Sequence, residues 1–249
     1  DGSVRWWDPA TGKELRPRAG HAGDVDFVAF RDDAEVLVSG SRDGVVRFGD
    51  AAGQPLRSVI PLPGARSVAM DPAGRWVACG SWDGRVRVWE TATGRNTLDL
   101  PAHPSWVVRL AFAPDARTLA SAGHWDGFRV KLWDAGTGAA AGDLAEPGDG
   151  SYHWVRDVFF SGDGRAVAAL TSGGRLLLWD RATGRPLPGY AGPEAGKLCA
   201  AALRPNGRVG AFGDGTGRVT LWDTATGAVL RAWPAHAGAV TAAAFRGDG

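Results

Sequence analysis

Few residues of this chain have the type and spacing that chemistry needs. Its five histidines show no HxxEH spacing of the kind that zinc hydrolases use, and no GxSxG string marks a serine nucleophile. Cys79 and Cys199 lie far apart and form no CxxC pair, so we expect free thiols and no metal site. The string from Gly213 to Gly217 resembles part of a phosphate-binding loop, but no helix follows it. We therefore expect a turn there, no cofactor and no catalysis.

Composition and charge narrow the function classes further. The chain has 28 basic and 27 acidic residues, scattered without runs, and a formal net charge of +1. A surface without a basic stripe argues against nucleic acid as a partner. No apolar run approaches the roughly 20 residues that cross a bilayer, which argues against a membrane and favours the cytoplasm. The abundance of alanine, glycine and arginine favours a bacterial source.

The elements that must position any functional residue come from an internal repeat. An aromatic residue followed by an acid recurs, and with Gly49-Asp50 as a sixth slot the acids stand 40 to 46 residues apart. This period suits a four-stranded unit. The five aromatic-acid pairs are Trp7-Asp8, Trp89-Glu90, Trp133-Asp134, Trp179-Asp180 and Trp222-Asp223.

Each repeat is interpreted as four short strands, named a to d here. Strand a is an apolar run such as Val107 to Phe112, and a polar turn separates it from strand b, for example WVACGS at 76–81. A turn such as Asp83-Gly84 leads into strand c, which ends at the aromatic-acid pair, and a glycine turn leads into strand d. Four antiparallel strands in about 43 residues cannot bury both faces alone, so neighbouring repeats must stack. The sequence therefore predicts an all-β fold.

These repeats resemble the WD40 family, which is named for its tryptophan-aspartate pair, over essentially the whole chain. The resemblance implies a β-propeller of four-stranded antiparallel blades that serves as a scaffold in multiprotein assemblies and is often fused to signalling domains. It also implies a structural hydrogen-bonded set in each blade, which is most complete as His103, Ser121, Asp126 and Trp133. One extra residue between Asp126 and Trp133 predicts a bulge in strand c.

The two ends of the chain share one repeat. Residues 236–249 provide its strand a, with the apolar run from Val240 to Phe245, and residues 1–17 provide its strands c and d, but strand b is missing. We predict one domain over 1–249 with five complete blades, one split blade and about 23 strands. Either a six-bladed ring closes with a defective blade, or the chain is a fragment of a longer propeller. We favour the fragment, because a missing central strand leaves unpaired edges.

Tryptophan is more frequent than the repeat requires. The chain has 12 tryptophans, and only five of them belong to the aromatic-acid pairs. Four others lie in the loops before strand a and between strands b and c, which share one face because strand direction reverses at each turn. Aromatic and arginine side chains dominate interface hot spots. We predict a partner-binding surface formed by Trp82, Trp106, Trp125 and Trp154 and edged by Arg42, Tyr152 and His153. The alternative is that some of these rings fill gaps between blades.

The predicted function is a non-catalytic scaffold that binds a protein or peptide. The alternative is a propeller enzyme of the lactonase or quinoprotein type, with its site in the central channel. Such a site needs carboxylates at the starts of the innermost strands. This chain has valines at those positions instead, namely Val25, Val107, Val155 and Val240.

Overall fold

The structure is a computed structural model that describes most of the chain. The described residues are 2–7, 10–17, 21–30, 36–41, 43–50, 60–61, 64–124, 129–145, 154–173, 175–191, 198–204, 207–241, 243 and 245. They fall into two compact units, residues 1–110 and 111–249, and the division lies inside one strand, Val107–Phe112. No helix in the described part is long and apolar enough to cross a membrane.

All regular structure in the described residues is β-strand, as the repeat predicts. The strands are β1 (Arg5–Trp7), β2 (Glu14–Pro17), β3 (Val25–Phe30), β4 (Val36–Ser41), β5 (Val45–Asp50), β6 (Ile60–Pro61), β7 (Ala65–Met70), β8 (Trp76–Ser81), β9 (Arg85–Glu90), β10 (Asn96–Pro101), β11 (Val107–Phe112), β12 (Thr118–Gly123), β13 (Arg129–Asp134), β14 (Ala140–Ala145), β15 (Val155–Phe160), β16 (Ala166–Thr171), β17 (Arg175–Asp180), β18 (Pro186–Ala191), β19 (Leu198–Leu203), β20 (Val209–Asp214), β21 (Arg218–Asp223) and β22 (Val229–Pro234).

These strands form five four-stranded antiparallel sheets, in each of which consecutive strands are neighbours. We number them blade 1 (β3–β6), blade 2 (β7–β10), blade 3 (β11–β14), blade 4 (β15–β18) and blade 5 (β19–β22). Strands β1 and β2 pair as a two-stranded antiparallel sheet, which confirms strands c and d of the first repeat. The five complete blades are therefore confirmed.

Strand b is the most buried strand in blades 2, 3 and 4. Every residue of β16 is buried, because small and apolar side chains occupy both of its faces. In the first unit the blade 1 strands pack against blade 2 through Val38, Phe48, Val77 and Trp89. In the second unit a corresponding core joins blades 4 and 5 through apolar residues of β16, β17, β20 and β21.

The tryptophan of the aromatic-acid pair is buried in blades 2, 4 and 5 and half-buried in blade 3. Trp179 and Trp222 are almost completely buried, and Trp89 is 7% exposed. Trp222 covers Gly210, where a Cβ atom would lie 1.8 Å from the indole Cη2 atom. Trp7 in the two-stranded sheet is 55% exposed by contrast. Burial of this indole therefore differs from repeat to repeat.

Backbone hydrogen bonds tie the turn between strands b and c to the start of the next repeat. The peptide oxygen of Gly84 accepts hydrogen bonds from the amides of Ala102 at 3.1 Å and His103 at 2.9 Å. Gly84 has a φ of 78°, and a Cβ atom on it would lie 2.1 Å from the peptide oxygen of His103. Glycine is required there for both conformation and space. The same tie joins Gly2 to His21 at 2.7 Å and Gly217 to His236 at 3.0 Å.

One prediction about strands is wrong. The run from Val240 to Phe245 is not a strand at its described residues 240, 241, 243 and 245, because no described strand hydrogen-bonds to it. Among the described residues 22 strands are present, in agreement with the prediction of about 23. Val240 still binds blade 5, since its amide donates to the peptide oxygen of Asp214 at 3.0 Å.

The bulge predicted in strand c of blade 3 stays a prediction. The pairing of β12 with β13 runs in continuous register from Thr118↔Asp134 to Ala122↔Val130. The extra residue falls in the connection at 125–128, outside the described residues. The irregularity between β13 and β14 at Trp133 recurs in blade 5 at Trp222, so it does not stem from the extra residue. The split blade formed by 1–17 and 236–249, and the single domain over 1–249, stay predictions.

Candidate functional site

Trp82 and Trp106 form an exposed aromatic pair in the first unit. Trp82 follows β8 directly and Trp106 precedes β11 directly, so the structure brings together the two loop types that strand direction predicted. The ring centroids are 4.2 Å apart and the ring planes meet at 67°, an edge-to-face arrangement. Trp82 is 45% exposed and Trp106 is half-buried. The pair therefore offers indole surface to a partner.

An arginine completes this group of side chains. The guanidinium carbon of Arg66 lies 5.0 Å from the ring centroid of Trp82, within the range of a cation–π interaction. Arg66 belongs to β7 and is exposed, so its polar edge stays open to solvent. We call Trp82, Trp106 and Arg66 the Trp82 cluster.

The backbone beneath the Trp82 cluster is held at several points. The amide of Trp82 donates to the peptide oxygen of Gly64 at 3.1 Å, and the amide of Gly84 donates to that of Ser81 at 3.2 Å. The tie from Gly84 to Ala102 and His103 then connects this turn with the segment that leads to Trp106. The two indoles are therefore presented by two segments that are hydrogen-bonded to each other.

Trp154 occupies in blade 4 the position that Trp106 occupies in blade 3, directly before strand a. It is 50% exposed and stacks with His124 at a centroid distance of 5.7 Å and an interplanar angle of 28°. Two hydrogen bonds join its backbone to Ser172. The Trp154 amide donates to the Ser172 Oγ atom at 3.2 Å, and the Ser172 amide donates to the Trp154 peptide oxygen at 2.8 Å. The second unit thus also carries an exposed indole on a hydrogen-bonded backbone.

The remaining residues of the predicted surface lie outside the described residues. They are Arg42, Trp125, Tyr152 and His153. Their place in a binding surface stays a prediction.

The structural hydrogen-bonded set of blade 3 is described in part. The indole N–H of Trp133 donates to the Oγ atom of Ser121 at 2.8 Å, and Ser121 is fully buried. His103 is buried as well. Asp126 lies outside the described residues. The structure therefore brings Ser121 and Trp133 together as the resemblance implied.

Blade 1 holds a histidine set that sequence reasoning undervalued, because Gly49 replaces its tryptophan. His21 contacts Asp43 through Nδ1 at 3.0 Å and the Ser39 Oγ through Nε2 at 2.9 Å. The amide of Ala22 donates to the same carboxylate at 3.0 Å. Burial raises the pKa of Asp43, but the hydrogen bonds from Ala22 and His21 outweigh it and hold the pKa below its ordinary value. The spacing from His21 to Ser39 matches that from His103 to Ser121, and this match was the available signal.

The positions at the start of strand a contain no acid in the four repeats named above. Val107, Val155 and Val240 are buried and Val25 is half-buried. Across the part of the chain that the structure describes, no three His, Cys, Asp or Glu side chains are close enough to hold a metal ion. The strongest candidate for a functional site is therefore the Trp82 cluster.

Comparison with known proteins adds a family to this geometry. A profile described as WD domain, G-beta repeat, matches residues 12–50, 58–90 and 94–134. Each matched range runs from strand d of one repeat to strand c of the next, so the matched unit is offset from the blade by one strand.

Several relatives match over much of the chain. It is 30% identical over 188 residues to periodic tryptophan protein 2 of Arabidopsis thaliana, covering 74% of this chain and 20% of that protein. It is 25% identical over 207 residues to nuclear distribution protein nudF of Aspergillus niger, covering 74% and 46%. It is 29% identical over 147 residues to guanine nucleotide-binding protein subunit beta of Oryza sativa subsp. indica, covering 53% and 38%. The chain thus spans less than half the length of each of these relatives. The matched repeats and the five four-stranded antiparallel sheets together show that this chain carries WD40 repeats folded as propeller blades.

Proposed function

We propose that this chain is a non-catalytic interaction module that binds a protein or peptide through the Trp82 cluster. The observation that carries the proposal is the 45% exposure of Trp82 in edge contact with Trp106. Indoles and guanidinium groups are the side chains enriched at interface hot spots, and an indole buries a large area with little loss of side-chain entropy. A partner that covers one such indole gains on the order of 2 kcal/mol.

Preorganisation supports the same proposal. Ordering a loop at an interface costs free energy, so a surface whose backbone is already fixed binds more tightly than a mobile one. The Trp82 amide is bound to Gly64 and the Gly84 oxygen is bound to Ala102 and His103. Trp154 with His124 supplies a second exposed aromatic surface, and we propose it as a further contact area.

Other features favour a protein partner over the alternatives. A net charge of +1 provides little attraction for nucleic acid. The rice relative is, by its name, a subunit of a larger protein, which agrees with a role in assembly. The propeller-enzyme alternative receives no support, because the described starts of strand a carry valine, alanine or leucine side chains where a channel site needs carboxylates. A bacterial source and a longer parent protein stay predictions.

Selection from a phage-displayed peptide library on the immobilised wild-type chain would test the proposed function. Peptides that bind the wild type should lose affinity roughly tenfold or more for Trp82→Ala and for Trp106→Ala. Trp7→Ala is the matched control, because Trp7 is similarly exposed but lies in the two-stranded sheet. Equal affinities for all three variants and the wild type would place binding elsewhere.

A further inference from the structure

Blade 2 presents Trp82 but lacks two members of the structural set that blade 1 uses. The position four residues before strand a holds Pro61 in blade 2, where blade 1 has His21. The strand b position of Ser39 in blade 1 corresponds to Cys79 in blade 2. Burial raises the pKa of the Cys79 thiol to about 12, so it is a neutral group. A different side chain must therefore hold the turn aspartate of blade 2.

Arg87 of β9 holds that aspartate. Its Nη2 atom donates to Asp83 Oδ2 at 2.7 Å, and its Nη1 atom donates to the Ser81 Oγ at 2.9 Å. The Ser81 hydroxyl in turn donates to the other carboxylate oxygen of Asp83. One guanidinium therefore binds the turn both directly and through Ser81. Arg87 is partly buried, with 23% of its side chain exposed, whereas the Asp83 side chain is 48% exposed.

Neighbouring strands support the guanidinium in this position. Arg87 pairs across the sheet with Cys79 of β8 on one side and with Asp99 of β10 on the other. Its Nε atom lies 3.4 Å from Asp99 Oδ1, and Arg85 Nε donates to that same oxygen at 2.6 Å. The charged and titratable groups around Arg87 are thus Asp83, Asp99, Arg85 and the neutral Cys79.

Blade 1 provides the internal comparison. Arg47 stands at the same strand position, opposite Ser39, but its Nη2 atom is 3.9 Å from Asp43 Oδ2. His21 and the Ala22 amide already occupy that carboxylate. The arginine is therefore secondary where the histidine is present and primary where the histidine is missing.

We propose that Arg87 is the positioning residue of the Trp82 cluster, because it fixes Asp83 and thereby the direction in which the preceding residue, Trp82, points. This inference rests on the proposed function of the cluster as a binding site. Arg87 does not touch the indoles and acts on them through the turn. A guanidinium keeps its charge throughout the physiological pH range, whereas a histidine ordinarily titrates between pH 5 and 8. The geometry of the Trp82 cluster should therefore stay constant over the pH range in which a histidine in the place of Arg87 would change its charge.

Circular dichroism of the indole pair tests the proposal without a partner. Two indoles in close edge contact give an exciton couplet, which is isolated by subtracting the spectrum of Trp106→Phe from that of the wild type. Arg87→Met should lose most of this couplet while far-ultraviolet dichroism and the cooperative unfolding transition persist. Arg87→Lys, which keeps the charge but loses the two-pronged contact, should retain part of it. Arg47→Met is the matched control and should keep the full couplet.

Binding provides the second readout. The dissociation constant of a peptide selected on the wild type should rise roughly tenfold in Arg87→Met and less in Arg87→Lys. If Arg87→Met does not fold, the exciton couplet is measured in Arg87→Lys and Asp83→Asn instead. Both variants should weaken the couplet if Arg87 has the proposed role. A full couplet in the folded Arg87 and Asp83 variants would overturn the positioning role. If no selected peptide depends on Trp82, the proposed function fails, while the couplet still decides the role of Arg87.

Discussion

The side chain of Val107 occupies the space that a side chain on Gly80 would need. An ideal Cβ atom on Gly80 would lie 2.4 Å from Cγ1 of Val107, far inside van der Waals contact. The first residue of strand a in blade 3 thus packs against strand b of blade 2 at a position that has no side chain. The arrangement recurs in the second unit, where a Cβ atom on Gly213 would lie 2.2 Å from Cγ1 of Val240.

Gly80→Ala should therefore lower the free energy of unfolding by about 1–3 kcal/mol, since a fully buried Val107 has little room to move. Urea denaturation measures the change. Gly142→Ala is the control, because its Cβ atom would make an ordinary contact of 3.5 Å with Leu132. If Gly80→Ala is as stable as the control, the claim that Val107 leaves no room for a side chain at position 80 is contradicted.

Gly84→Ala should be more damaging than its backbone conformation alone explains. Gly12 has a similar φ of 66°, and no atom lies within 4 Å of the place that a methyl group on it would take, so Gly12→Ala isolates the conformational cost of about 1–2 kcal/mol. Gly84→Ala should add the loss of the hydrogen bonds from Ala102 and His103, about 1 kcal/mol each. Thermal and urea unfolding of the two variants give the difference. Equal losses would show that the tie contributes nothing.

The hydrogen bond between Trp133 and Ser121 should appear as a coupling energy. Ser121→Ala, Trp133→Phe and the double variant form a double-mutant cycle on unfolding free energy. A coupling of about 1 kcal/mol is expected, because Ser121 is fully buried and each single substitution leaves the other group of this hydrogen bond without its partner. Additive effects of the two substitutions would contradict it. Trp133→Ala should damage the fold much more than any of these.

Acid should weaken blade 2 through Asp83. Burial raises the pKa of Asp83, but its hydrogen bonds with Arg87 and Ser81 lower the pKa from 3.8 to about 2. A carboxyl whose folded pKa is depressed contributes stability above its unfolded pKa and loses it as pH falls towards the folded value. The urea midpoint should therefore fall between about pH 4 and pH 2, and less steeply in Asp83→Asn. Asp143→Asn, an exposed ion-paired site, should keep the wild-type slope, and an unchanged slope in Asp83→Asn would refute the prediction.

Sequence reasoning succeeded where local chemistry determines structure. Strand b at 76–81 followed from the turn residues that flank it, and the reversal of strand direction at each turn predicted that the loops of Trp82 and Trp106 share one face. The role of Arg87 could not be predicted in this way, because it depends on what the neighbouring strands place around it. An arginine four residues after an aspartate also occurs in blade 1, where His21 makes it secondary. The run at 240–245 had the pattern of a strand, but pairing requires a partner that no pattern within the run reveals.

The tie between Gly84 and His103 uses peptide atoms on both sides. Its hydrogen bonds therefore do not depend on which side chain follows the glycine turn, and Gly2 and Gly217 make the same bond in repeats of different sequence. A junction of this kind tolerates divergence everywhere except at the glycine. Duplicated repeats can then accumulate substitutions, or be exchanged with one another, without loss of the backbone hydrogen bonds that join each repeat to the next. The side chains of the exposed loops, including the one that carries Trp82, can thereby vary without loss of this tie.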